Sequence, residues 1–204
     1  MIRLTEKLLK EKTYLLFDLD GTIIDTDKAN FLSYQEAIKN VKNIDLKSIY
    51  NDNKRFTREK LNLIIPNLTI QEFEKIVKLK TNIFKANLKY TVVNTYILEI
   101  INRFSKTNKI ILATNSHKIK ADLLLNYYNI FNLFDKKYYK ESYVNQDNKY
   151  QYIINNLNIK LNDMIIFEDN NNEIYKAIEL GVPIENIINP SIKGEKCYEQ
   201  IHDL

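Results

Sequence analysis

Three short apolar runs, each halted by acids or small polar residues, punctuate a chain that elsewhere places its apolar residues at helical spacing. YLLFDLD (14–20) is apolar up to Asp18 and then meets Gly21; KIILATNS (109–116) and DMIIFEDN (163–170) have the same form. Continuous apolar runs of this length, stopped by turn formers, are the pattern of buried parallel strands. Helical patterns follow or precede them: TYILEIINRFS (95–105), HKIKADLLLNYY (117–128), KYQYIINNL (149–157) and NEIYKAIEL, the last closed by Gly181 with Pro183 just beyond. Strands alternating with helices predict an α/β fold, a Rossmann-like, doubly wound parallel sheet with helices on both faces.

The interval 27–90 breaks this alternation. It carries helix-period stretches at 27–42, 57–65 and 70–88 and no buried strand. In TIQEFEKIVKLKTNIF, Ile70, Phe73, Ile76, Val77 and Phe84 share one side of a 3.6-residue helix. The expected organisation is therefore a core domain formed by 1–25 and 91–204, with an inserted all-helical cap at 26–90.

Composition adds limits rather than detail. With 204 residues, 45% hydrophobic and 27% charged, the chain has the make-up of an ordinary globular protein. No apolar run reaches the roughly 18 residues of a membrane span, and MIRLTEKLLKEK at the start lacks the form of a secretory signal. The single cysteine, Cys197, fits a reducing compartment, so the cytoplasm is the expected location. The net charge of +4 is dispersed. It suits an anionic substrate but falls short of a nucleic-acid track. The chain is rich in Asn and Lys and has only three Gly and three Pro, so a single Asn or Lys carries little information.

Chemistry gathers at the strand ends. In open α/β sheets the ligand site lies beyond the carboxyl ends of the strands. Asp18 and Asp20, two residues apart, share a face of an extended strand, and Glu168 with Asp169 ends another. Four carboxylates converging there repel one another unless a cation sits among them. An oxygen-only donor set suits Mg²⁺, which also takes a substrate phosphate oxygen.

These residues resemble a family, the haloacid dehalogenase superfamily, and within it the helical-cap group of β-phosphoglucomutase-like and phosphoglycolate phosphatase-like proteins. FDLDGT resembles the first motif, ILATNS the second and FEDNNNEIYKAIELGVP the fourth. The resemblance implies Asp18 as nucleophile and Asp20 as general acid/base. It implies Thr114 and Lys149 as catalytic partners of the phosphate, and Mg²⁺ held by Asp18, Asp20, Asp169 and Glu168. It further implies phosphate contacts from Gly21, Thr22 and Asn115. In the cap's TREKL stretch, Arg58 could grip a second anionic group. The third-motif lysine is Lys149 by position, although the usual proline-rich context is missing; Lys140 and Lys118 are the alternatives.

The implied activity is hydrolysis of a small phosphorylated metabolite through an aspartyl-phosphate on Asp18. Asp20 favours phosphoryl over carbon–halogen chemistry, because a halide leaves without a proton. A mutase is the nearer rival, but the histidine that such mutases carry at the start of the cap falls on Asn30. A non-catalytic binding or regulatory protein of the same fold and a nucleic-acid end phosphatase are the readings from other classes.

Overall fold

The computed structural model describes residues 8–48, 56–144 and 146–190. Cys197 lies outside them, as does Arg55, the arginine nearest Arg58 in sequence. The chain divides into two compact units, Met1–Ile24 with Val93–Leu204, and Asp25–Val92.

The first unit is built on a five-stranded parallel sheet: β1 (Tyr14–Phe17), β2 (Lys109–Ala113), β3 (Lys136–Tyr138), β4 (Met164–Phe167) and β5 (Ile187–Ile188), in the spatial order β3-β2-β1-β4-β5. The first strand is thus central, with Leu16 opposite both Ile111 and Ile166, and Phe17 opposite both Leu112 and Phe167. Side chains alternate between faces along a strand. Leu16, Ile111 and Ile166 pack on one face with Tyr150, Ile153, Ile174 and Ala177, and Leu15, Phe17, Ile110, Leu112, Ile165 and Phe167 on the other are buried as well. Burial on both faces explains why the three inner strands read as continuous apolar runs.

The helices of this unit are Thr95–Phe104, Lys118–Tyr127, Lys149–Leu157 and Asn171–Glu179. The last ends as Gly181 predicts. Gly181 has φ of 88°, its N–H reaches Ile178 O at 2.8 Å, and the Val182 N–H reaches Ala177 O at 3.2 Å, the two bonds of a Schellman motif. Among the described residues no helix is long and apolar enough to cross a membrane.

The second unit is helical. Its main helices are α1 (Asp27–Lys42) and α2 (Ile70–Phe84), and in chain order the four helices of the first unit become α3 to α6. Phe31, Tyr34, Ala37 and Ile38 of α1 share a core with Ile76 of α2, and with Leu46, Phe56, Leu61 and Ile65. Ile70 departs from the expected stripe: at the first helical position it is 79% exposed. The expected helix at 57–65 is a 3-10 turn, Arg58–Lys60, followed by one α turn, Leu61–Ile64. Pro66 stops it, because the residue before proline is pushed out of the α region, and Ile65 is extended at φ −100°, ψ 108°.

The start of α2 carries a capping box. Thr69 Oγ1 accepts from Glu72 N (3.2 Å), Glu72 Oε2 accepts from Thr69 N (2.9 Å), and Lys42 from the end of α1 pairs with Glu72 Oε1 at 2.9 Å. The Lys42 hydrogen bond, then the two from Thr69, lower the Glu72 carboxyl from 4.5 to about 2. A depressed acid contributes stability that is present above its unfolded pKa and lost as pH falls through the folded one. Glu72→Gln is therefore expected to lower Tm at neutral pH, with the gap to wild type shrinking below pH 4.5 and closing near pH 2. A Tm difference that stays constant across that range contradicts this role.

Candidate active site

The register of β1 decides the geometry. Phe17 lies opposite Phe167, and the two rings stack at 4.4 Å with 8° between their planes. The next residues, Asp18 and Glu168, therefore leave the sheet side by side, with the Asp18 N–H bonded to Phe167 O at 2.9 Å. On the other flank β2 delivers Thr114. The site thus forms at the carboxyl ends of β1, β2 and β4, where the strand order reverses direction and α/β sheets place their ligands.

Asp18, Glu168 and Asp169 form a carboxylate cluster with one oxygen of each within 4.8 Å of the others. Lys149, at the first position of α5, extends into this cluster with its side chain fully buried. Its Nζ lies 2.6 Å from Asp18 Oδ1 and 2.7 Å from Glu168 Oε2. Asn148 starts that helix by accepting from Tyr150 N (3.0 Å) and Gln151 N (3.3 Å). The Tyr150 hydroxyl then donates to Glu168 Oε2 at 2.6 Å.

Burial, and then the Glu168 carboxylate, push the Asp18 carboxyl well above the usual range, with Lys149 pulling the other way. For Lys149 burial opposes the charge, but Asp18 and Glu168 together outweigh it and raise the ammonium's pKa. Burial and the Glu168 charge keep the Tyr150 phenol neutral, its pKa well above the ordinary value. The group therefore holds three carboxylates to the one ammonium that bridges two of them, an excess of negative charge that a divalent cation would neutralise. All donors are oxygens, as Mg²⁺ prefers.

The turn after β1 is built for close approach. Gly21 has φ of +96°, and a Cβ placed on it would stand 2.1 Å from Asp169 Oδ2. Both the conformation and the space demand glycine here. Thr22 Oγ1 donates to Asp169 Oδ1 at 3.0 Å.

Several expectations change at this level. Thr22 is completely buried, and its hydroxyl donates to Asp169 rather than standing open at the surface. Asp20 does not join the acidic cluster: its carboxylate accepts from Ser116 Oγ through Oδ2 and from Lys120 Nζ at 2.5 Å through Oδ1. The acidic group at the strand ends is thus Asp18, Glu168 and Asp169, with the Asp20 side chain outside it. Thr114 is buried, with Oγ1 accepting from Ser116 N at 3.0 Å and its carbonyl accepting from the Tyr143 hydroxyl. Asn115 is exposed, and its Oδ1 accepts from the Tyr143 hydroxyl at 3.1 Å. Lys118, an alternative to Lys149, pairs with Asp122. Arg58 belongs to the helical unit, where it is exposed and lies over the Phe73 ring at 5.2 Å. Sequence reasoning missed Ser116, Lys120, Tyr143 and Tyr150. Ser116 stood at the end of the second motif, whereas the tyrosines were hidden among 14 and Lys120 among many lysines.

Solved structures share this fold. A haloacid dehalogenase-superfamily hydrolase of subfamily IA from Geobacter sulfurreducens matches with 16% identity, 85% of each chain covered and a TM-score of 0.66. A predicted phosphoglycolate phosphatase from Haemophilus somnus 129pt matches with 17% identity over 84% of this chain and 83% of that one, at a TM-score of 0.73. CbbY from Rhodobacter sphaeroides, in complex with phosphate, matches with 15% identity over 92% and 91%, at a TM-score of 0.68. At these identities the likeness is one of fold. Comparison with curated proteins gave no match. The sequence profile of the haloacid dehalogenase-like hydrolases matches residues 15–187, most of the sheet-bearing unit and all of the helical one. The chain belongs to the haloacid dehalogenase-like hydrolase family.

Proposed function

We propose that this chain is a Mg²⁺-dependent phosphatase that hydrolyses a small phosphate monoester through an aspartyl-phosphate on Asp18. One observation carries the reading: a buried lysine locks Asp18 against Glu168 beside Asp169, three carboxylates at the switch point of the sheet. Asp18, Asp169 and Glu168 would hold the cation. When bound, Mg²⁺ supplies charge neutralisation for the phosphoryl group and its nucleophile.

The chain's own residues divide the remaining work. Asp18 Oδ attacks phosphorus as the bond to the leaving oxygen breaks. Lys149, fixed on Asp18, offsets the repulsion between carboxylate and phosphate. Asp20 gives its proton to the leaving oxygen and then takes one from the water that cleaves the acyl phosphate, freeing Asp18. The backbone N–H groups after Asp18 and the Thr114 hydroxyl hold the phosphoryl oxygens. Arg58, an exposed cation of the helical unit, is the candidate for a second anionic group of the substrate. The substrate class is a sugar phosphate, a phosphorylated hydroxy acid or a nucleoside monophosphate.

Water as acceptor, rather than a second sugar hydroxyl, is supported by Asn30. It is buried, with Nδ2 donating to Thr26 Oγ1 at 3.0 Å and Oδ1 accepting from Lys80 Nζ at 2.8 Å. An amide so held does not shuttle protons, which disfavours a mutase. A purely binding protein is disfavoured by the presence together of Asp18, Asp20, Thr114, Lys149 and Asp169.

The test is a panel of small phosphate esters with p-nitrophenyl phosphate as reference, assayed with Mg²⁺ and with EDTA. Activity is expected with Mg²⁺, loss in EDTA, and recovery when Mg²⁺ is returned. Mg²⁺ should also raise the unfolding free energy, by about 2.7 kcal/mol at a hundred times its Kd. Activity indifferent to EDTA, or a Tm that ignores Mg²⁺, counts against the reading.

A further inference from the structure

Helix α4 opens with His117-Lys118-Ile119-Lys120 and has no acid in its first turn. The positive end of a helix dipole disfavours cations there, and a segment that breaks a local rule marks a functional position. The compensation comes partly from within the helix and partly from distant parts of the chain. Glu141 accepts from Lys118 N at 3.0 Å and meets His117 Nδ1 at 2.9 Å, and Asp122 takes the Lys118 ammonium. Lys120 reaches across 100 residues of sequence to Asp20 Oδ1 at 2.5 Å, with side chains only 19% and 9% exposed. Ser116, just before the helix, donates to the other oxygen, Asp20 Oδ2. The loop carrying Ser116 is itself pinned: its N–H bonds to Thr114 Oγ1 at 3.0 Å, and Tyr143 holds the Thr114 carbonyl and the Asn115 side chain.

Both oxygens of Asp20 are thus held, one by Lys120 of α4 and the other by Ser116 in the loop before it, and Asp20 is not part of the group formed by Asp18, Glu168 and Asp169. We infer that Lys120 and Ser116 are positioning residues that hold the Asp20 carboxyl apart from the cation-binding carboxylates, and so keep it available to the leaving-group oxygen. The inference rests on the phosphatase reading above. Asp20 is two residues from Asp18, whose acidic cluster would hold the cation. Released from α4, its side chain can rotate toward that cation and cease to serve as a proton donor.

A leaving-group comparison separates this role from simple support of the fold. The ratio kcat/KM reports the steps through departure of the alcohol. p-Nitrophenolate departs from phosphorus without protonation, whereas phenolate, whose conjugate acid resembles tyrosine at about 10, needs the proton. Lys120→Met is expected to lower kcat/KM for phenyl phosphate by roughly 10- to 100-fold, within the range of general acid catalysis. For p-nitrophenyl phosphate the expected loss is less than about threefold. Ser116→Ala, which deletes one oxygen atom, should show the same asymmetry in smaller measure, and it carries the test should Lys120→Met fail to fold. Lys120→Arg should restore part of the phenyl phosphate activity, and Asp20→Asn sets the upper limit of the effect. Equal losses on both esters, or none on either, in an active wild-type background overturn the inference alone. A wild-type protein that hydrolyses neither ester overturns the phosphatase reading and this inference with it.

Discussion

Asp18→Asn is expected to give a folded protein whose kcat on p-nitrophenyl phosphate has dropped by at least roughly 10⁴-fold, the scale on which loss of a nucleophile is felt. An amide of the same shape can still accept the hydrogen bond that Lys149 makes to Asp18 Oδ1 at 2.6 Å, but it cannot attack phosphorus. The substitution also removes a charge that the fold holds at a disadvantage. Burial and the Glu168 carboxylate raise the Asp18 pKa well above 3.8. The stability due to this group in the metal-free protein is therefore fully present below about pH 3.8. It is lost as pH rises through the folded value. Metal-free Asp18→Asn should consequently be at least as stable as wild type at neutral pH, and Mg²⁺ should raise its Tm less than it raises that of wild type. Residual activity above about a tenth of wild type would exclude Asp18 as the nucleophile.

Lys149→Met is expected to damage both stability and rate. The side chain is fully buried and bridges two carboxylates. Breaking a buried ion pair from one side leaves uncompensated charge and costs about 3–5 kcal/mol. Loss of a positioned cation at the reacting phosphate should lower kcat by a further ~10²–10³-fold. Mg²⁺ should narrow the stability gap, because it neutralises the same carboxylates, but it should not restore the rate. Lys149→Arg is expected to fail as well, since a planar guanidinium does not fit a slot shaped for an ammonium. Urea unfolding with and without Mg²⁺, alongside kcat, reads these effects. A variant within about 0.5 kcal/mol of wild type would place Lys149 outside the buried network.

The inner strands β1, β2 and β4 were legible because burial on both faces makes them unbroken apolar runs. The edge strands were not. Lys136–Tyr138 is the polar run KKY and Ile187–Ile188 is two residues long, so neither offers a periodicity. Asparagine was undervalued in the sequence for a compositional reason. With only three glycines in the chain, Asn43, Asn67, Asn129 and Asn158 join Gly21 and Gly181 at positive φ among the described residues, a conformation asparagine tolerates better than other side chains. Asn43 and Asn158 cap the ends of α1 and α5 in this way.

In the site, resemblance to the family's motifs pointed to Asp18, Glu168, Asp169 and Lys149, four residues that the fold brings together. What sequence does not encode is the direction each side chain takes. Asp18 and Asp20 lie two apart, as residues sharing a strand face should. However, β1 ends at Phe17, and the turn beyond it sends Asp18 to Lys149 and Asp20 to Lys120. Thr22 likewise turns inward to Asp169, a contact that exists only because Gly21 lets that carboxylate come so close.

A covalent bond between phosphate and Asp18 can be trapped directly. The protein is mixed with excess p-nitrophenyl phosphate and Mg²⁺, quenched in acid within a turnover, digested, and its peptides weighed. Phosphate is expected on the peptide spanning Asp18, and is expected to be absent in Asp18→Asn and in EDTA. Hydrolysis by the wild-type protein with no acid-stable phosphopeptide, or with phosphate on a residue other than Asp18, would contradict an aspartyl-phosphate on Asp18.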